Sequence, residues 1–171
     1  GIQTGNVMGF AAELYQRRVL TCNDLDGLEL KWGATEAFAA LAEKIAHREG
    51  IGDTLAEGTY RAALKIGKTK KKNLLPYAVQ SKGISIGAHG TRSGKDYPEI
   101  ISYACSVQGG DHTSTAALPL DSGGSELMEI FNDSGVYCSF NSFNAPRNTR
   151  FEFYGAVTGI SLTRKEWIKT K

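Results

Sequence analysis

Cysteine is scarce in this chain. Cys22, Cys105 and Cys138 are the three present, odd in number and far apart, which argues against a disulfide framework and fits a reduced, cytoplasmic compartment. Long hydrophobic runs are missing too: nothing approaches the roughly 18 apolar residues of a membrane-spanning helix. No charged segment followed by an apolar one opens the chain, so no secretory leader is expected. Charge of one sign is also limited. The net charge is +2, and the single basic run, "KTKKK" from Lys68 to Lys72, has no interleaved aromatics, so nucleic acid is not an expected partner. The common phosphate and metal signatures are absent as well: there is no "GxGxxG" after a strand, no "GxxxxGKS", no "HExxH" and no paired "CxxC". A dinucleotide site or P-loop is therefore not expected.

What is present is a chain of 171 residues, 41% hydrophobic and 22% charged, enough for one domain with a substantial core. Residues 6–19 place Val7, Met8, Phe10, Ala11, Leu14, Tyr15 and Val19 on one helical stripe, with Thr4 or Asn6 available as cap. Residues 34–49 repeat the pattern with Ala37, Phe38, Leu41 and Ile45, ending on basic residues with Gly50 as the expected stop. A third helix is expected over 54–66, capped by Asp53 and stopped by Gly67. From Lys68 to Lys95 glycines accumulate and helix formers thin out, so an irregular segment with one short strand at 75–80 is expected. Helices resume at 97–107, from Ser125 to Phe131, at 148–158 and at 163–171. The expected class is mainly α, a helical bundle-like domain with an irregular glycine-rich middle. Its parts would be 1–67, a connecting segment 68–95, and 96–171 with loops facing a site, all in one continuous domain. Because the chain opens at Gly1 without Met and stops two turns into a helix, a larger parent protein is expected.

Few residues have chemistry to offer. His47 sits in the last turn of an amphipathic helix, where it complements the dipole, and His89 lies in the loop "GAHGTR". His112, in "SVQGGDHTST", follows a helix end at Gly109-Gly110. Asp111 or the hydroxyls of 113–115 can fix its tautomer, so proton transfer and a plain helix-end cap both stand open. Cys22 and Cys105 read as ordinary buried thiols. Cys138 stands in the loop "DSGVYCSF", where a turn can aim a thiolate at a metal. One cysteine cannot hold a cluster alone, so its partners would lie outside this chain.

Taken together, "IQTGN" (2–6), "GLELKWG" (27–33), "REGIGDTLAEG" (48–58), "YACSVQGGDH" and "DSGVYC" resemble, in order and spacing, the C-terminal helical region of the tungsten- and molybdenum-containing aldehyde ferredoxin oxidoreductase family. The corresponding family motifs are "TIStGN", "GLxLxWGn", "REGxGdxLAeG", "YAtSpxGxxH" and "DxxGLC", and the resemblance runs over essentially the whole chain. It implies the fold of that family's domains 2 and 3. It also implies a tungsten or molybdenum atom on two pterin cofactors beside a 4Fe-4S cluster, and oxidation of aldehydes to carboxylic acids with ferredoxin or another electron-transfer subunit as acceptor. By the same resemblance Cys138 becomes the fourth cluster ligand and Asp133 a pterin-binding carboxylate. Gln3, Thr4 and Asn6 become cofactor-facing residues, and His112 the histidine near the metal. A missing N-terminal domain, a small-molecule substrate and a homodimer are the further partners implied. Two departures stand out: Val136-Tyr137 replaces the expected Gly-Leu, and the stretch from His112 to Cys138 is short. They leave room for an active-site subunit of the benzoyl-CoA type of reductase, or for a non-catalytic helical interaction module.

Overall fold

The computed structural model describes residues 1–87, 109–111, 134–137, 146 and 148–169. The chain divides into two compact units, Gly1–Tyr97 with Ser102–Ser114, and Pro98–Ile101 with Thr115–Lys171. The first contains α1 (Ile2–Gln16), α2 (Thr35–His47), α3 (Ile51–Leu55), α4 (Thr59–Lys70) and an antiparallel hairpin of β1 (Gln80–Ser81) and β2 (Ile84–Ser85). The second contains α5 (Thr149–Thr158) and α6 (Arg164–Lys169). The mainly helical class read from the sequence is what the described residues form. The helices expected at 97–107 and 125–131 lie outside them, as do His89 and Cys105.

Periodicity located the helical part of the core, to which the turns add Leu25, Leu30 and Leu74. Leu14, Leu25, Leu30, Leu41, Leu55 and Leu74 are fully buried, and Phe10, Ala11, Ala62, Ala63 and Ile66 close the same cluster. Each such leucine contributes about 1.5–3 kcal/mol by leaving water.

The helix ends differ from expectation, for a common reason. α1 begins at Ile2 with Gly1 at its cap, so Thr4 and Asn6 lie inside the helix. Gly50 and Gly67 are not stops. α1, α2 and α4 end instead on Arg18, Arg48 and Lys71, each left-handed with φ between 52° and 56°. The backbone closes each end in the same way: Arg18 N–H donates to Tyr15 and Val19 N–H to Leu14, with matching pairs from Arg48 and Glu49 and from Lys71 and Lys72. These are Schellman ends with a basic residue where glycine is usual, and a cation near the last turn suits the negative end of the helix dipole.

The glycines serve close approach instead. A Cβ on Gly67 would lie 2.6 Å from the Lys72 carbonyl, one on Gly52 2.2 Å from the Lys44 carbonyl, and one on Gly50 2.0 Å from the Asp26 carboxylate. That carboxylate accepts from the Ile51 N–H at the start of α3 (3.0 Å) and from Lys44 (3.3 Å). Helix 54–66 breaks into α3 and α4 because Gly58 takes φ 84°, ψ 164°, outside the helical region. The stretch expected as one strand is a 3-10 turn at Leu75–Tyr77 followed by β1.

Surface charges link α2, α3 and α4. Arg48 meets Asp53 (3.0 Å) and Glu57 (2.8 Å), Glu57 also meets Arg61, and Asp53 meets Lys65. Elsewhere Lys70 donates to Asp24 at 2.7 Å, and Thr21 caps the same carboxylate through its hydroxyl and N–H. In the second unit α6 opens with a capping box: Thr163 N–H and Oγ1 donate to Glu166, whose N–H returns to Thr163 Oγ1. This is the start at Thr163 that the sequence indicated.

Two outcomes test this packing. Gly52→Ala drives a methyl into backbone and should lower the unfolding free energy by about 1–3 kcal/mol. Gly5→Ala, whose Cβ meets nothing within 4 Å, should raise it by about 0.5–1 kcal/mol; equal stabilities in denaturant titrations followed by circular dichroism would contradict the close α2–α3 contact. The second concerns pH. The Lys70 ammonium, then the Thr21 donors, hold the Asp24 carboxyl below its ordinary range. A depressed folded-state value stabilises above the unfolded value, near 3.9, and that contribution is lost as pH falls through the folded value. Wild type should therefore exceed Asp24→Asn in stability at neutral pH and lose that advantage in strong acid. A gap that persists unchanged in acid would exclude the linkage.

Candidate functional site

The hairpin is short, and its register determines what it leaves unpaired. Gln80 faces Ser85 and Ser81 faces Ile84, while Ile86 N–H donates to Val79 O. Ser85 therefore occupies a non-hydrogen-bonded position, with its backbone N–H and C=O directed away from β1. Gln3 takes both: its Nε2 donates to Ser85 O (3.1 Å), and Ser85 N–H donates to its Oε1 (3.2 Å). One carboxamide thus acts as the next strand. The connecting turn places Lys82 (φ 54°) and Gly83 (φ 82°) in the left-handed region, as a two-residue type I′ turn requires.

One helical turn on, Asn6 Nδ2 donates to Ile86 O at 2.7 Å, and Asn6 Oδ1 accepts from Thr59 Oγ1 at 2.8 Å. Thr59 Oγ1 in turn accepts from Ser85 Oγ at 2.9 Å. Thr59 and Ser85 are buried. The chain of groups ties α1, α4 and β2 together with no buried side-chain polar atom unsatisfied among the described residues. Of the cofactor-facing residues the sequence indicated, Gln3 and Asn6 thus have their amides engaged with the hairpin. Thr4 is half-buried in α1.

Beside this junction lies a cleft of ≈ 880 Å³ along α1, with Gly5, Asn6, Gly9, Trp32, Tyr77 and Ile86 among its walls. Gly5 and Gly9 leave open space there. Arg17 stands 4.6 Å over the Tyr77 ring and pairs with Glu13. Trp32 is 56% exposed, stacks on Phe38 and donates its indole N–H to Gln16. Aromatic rings beside a glycine wall suit a flat, partly polar group. Sequence reading passed over this cleft because its lining comes from α1, the 27–33 loop and the hairpin approach, which no single motif joins.

His112, Asp133 and Cys138 lie outside the described residues, and the flanks of each are informative. Gly109 (φ 58°) and Gly110 are buried against the hairpin, and Gly110 N–H donates to Ser81 O at 3.1 Å. Val136, two residues before Cys138, has φ 59° and is 91% exposed. A β-branched residue is an outlier there, so the turn has the backbone that a glycine would supply. Tyr137 stacks edge-on against Phe153 at 5.7 Å. Cys22 is a free, half-buried thiol whose sulfur is 3.3 Å from the Tyr15 hydroxyl; that hydrogen bond, ahead of burial, raises the Tyr15 phenol above its ordinary range. His47 occupies the last turn of α2, beside Lys44. Among the described residues no three His, Cys, Asp or Glu side chains gather as a metal site, and no helix is long and apolar enough to cross a membrane.

Comparison with known proteins places these features in a context. The family model "Aldehyde ferredoxin oxidoreductase, domains 2 & 3" matches residues 1–170. A curated relative from Pyrococcus furiosus, "Aliphatic sulfonate oxidoreductase, WOR-like subunit", is 55% identical over 98% of this chain and 27% of its own length. A tungsten-containing aldehyde ferredoxin oxidoreductase of the same organism is 31% identical over 98% of this chain and 30% of its own. Its counterpart in Thermococcus kodakarensis is 30% identical over the same shares. The chain thus spans under a third of the length of these relatives. Among solved structures, the active site complex of benzoyl coenzyme A reductase with 1,5 dienoyl-CoA is 37% identical over 50% of this chain and 12% of that one, with a TM-score of 0.42.

The strain at Val136 is testable by itself. Val136→Gly should stabilise the protein by about 1–2 kcal/mol, the cost of holding an L residue left-handed, with little burial to lose. A destabilised variant in thermal unfolding would show that the valine side chain is needed there.

Proposed function

This chain belongs to the aldehyde ferredoxin oxidoreductase family, and from that premise we propose that it is the domain 2 and 3 segment of a tungsten-pterin, iron-sulfur oxidoreductase. The observation that carries the reading is identity over 98% of the chain, 55% with the aliphatic sulfonate relative against 31% with an aldehyde-oxidising one. That difference favours an aliphatic sulfonate substrate over the aldehyde that the motifs alone suggested. It also favours a role within a subunit of a larger complex, with an electron-transfer partner.

The residues support a cofactor in the second loop. The turn at Val136 has a φ of 59°, a conformation that glycine, the residue of the family's "DxxGLC" at that place, adopts without strain. Asp133 would accept hydrogen bonds from a pterin's amino and ring N–H groups, and Cys138 would offer its thiolate to the cluster. When bound, the metal and cluster supply the redox chemistry. The work of the chain is to hold, orient and move protons. His112, following the Gly109-Gly110 turn, would take or give one proton at the substrate near neutral pH. Gly5 and Gly9 leave the α1 wall open for a flat group to approach.

The test is anaerobic purification of the full-length parent from its native host, with metal analysis and viologen reduction. Tungsten and iron should co-purify, and aliphatic sulfonates should reduce the dye faster than aldehydes. His112→Ala should lower kcat by about 10²–10⁴-fold, the usual weight of a general acid or base. Protein free of tungsten, molybdenum and iron would sink the reading in favour of a non-catalytic module, and turnover of aldehydes alone would sink the sulfonate assignment.

A further inference from the structure

The hairpin supports more than itself. A two-stranded hairpin is marginal in water, and this one has strands of two residues each. What holds it is the set of polar contacts from Gln3, Asn6 and Thr59 onto Ser85 and Ile86. The Gly109-Gly110 turn rests against it as well, with Gly110 N–H donating to Ser81 O. A Cβ on Gly110 would stand 2.2 Å from Ile84 O, and one on Gly109 2.7 Å from Ser81 O. Backbone therefore lies close on backbone there.

We infer that the Asn6–Thr59–Ser85 hydrogen-bond chain is a positioning device, which sets the place of the Gly109-Gly110 turn and through it the point from which His112 departs. The inference rests on the reading of His112 given above. Ser85 is the shared member: its hydroxyl is fixed by Thr59, its backbone by Gln3, and its neighbour Ile84 carries the carbonyl that Gly110 touches. Removing the Thr59 hydroxyl leaves Ser85 Oγ and Asn6 Oδ1 each without that partner inside the protein. The hairpin then shifts or loosens, and the glycine turn with it. A displacement of about 1 Å in a group that transfers a proton costs up to about 100-fold in rate. Thr59 and Ser85, both buried in the junction, are positioning residues that act through Asn6 and the hairpin.

The experiment compares Thr59→Val, Thr59→Ser and His112→Ala in the full-length holoenzyme. Thr59→Val should lower kcat about 10- to 100-fold with KM little changed, and should displace the pH–rate profile. Hydrogen exchange should speed up in peptides containing Gly110, at wild-type tungsten and iron content, and Thr59→Ser should restore all three readouts. If Thr59→Val does not accumulate with metal, Gly110→Ala is judged by the same kcat, pH and exchange measurements. His112→Ala with unaltered kcat and pH profile overturns the reading beneath the inference. An impaired His112→Ala beside a Thr59→Val (or Gly110→Ala) of wild-type rate and protection overturns the positioning role alone.

Discussion

One side-chain amide acting as a β-strand is the constraint on which the first unit depends. Ser85 presents a backbone donor and acceptor away from its strand partner Gln80, and Gln3 satisfies both. Leaving such groups buried and unpaired costs about 1–3 kcal/mol each. The consequence is geometric. α1 must lie along the hairpin with Gln3 and Asn6 on the contact face, which puts Gly5 and Gly9 beside the same surface and opens the cleft there. Thr59 extends the same contact to α4. Helix, cleft wall and glycine turn are therefore located by one set of directional bonds, more tightly than apolar packing alone would place them.

Much of the helical frame was legible because burial has a period. The stripe through Val7, Phe10, Ala11 and Leu14 is the buried face of α1, and Leu41 and Ile45 are the buried positions of α2. The helix opening at Thr163 was legible, and the capping box there is what the structure adds. Glycine was misread, since a glycine can mark a helix end or a place where two backbones touch, and the local sequence looks alike in both cases. Gly67 is of the second kind, Gly50 makes room for the Asp26 carboxylate, and basic residues took the left-handed ends. Gln3 and Asn6 were singled out by resemblance to a motif. Their contacts with Ser85 and Ile86 bridge 82 and 80 positions, a pairing that no local pattern encodes.

The functional reading came from ordered motifs, since no single residue could carry it. Each motif alone is short, and His112 by itself left a cap and a proton carrier equally open. Val136 shows how resemblance and geometry inform one another. The sequence departs from the family's glycine at that position, yet the backbone retains the φ that glycine would adopt.

The charged cluster around Arg48 bears on heat. Its members are half or more open to solvent on the arginine side, so near room temperature each pair contributes little. Hydration of charged groups weakens as temperature rises, and with it the penalty for drawing them together. The cluster joins the end of α2 to α3 and to the first turns of α4, across the break at Gly58 where the helix is interrupted. Its contribution is therefore smallest when the fold is cold and grows on warming, and it falls on joints between helices, at Arg48–Gly50 and at Gly58, where the helical backbone is interrupted.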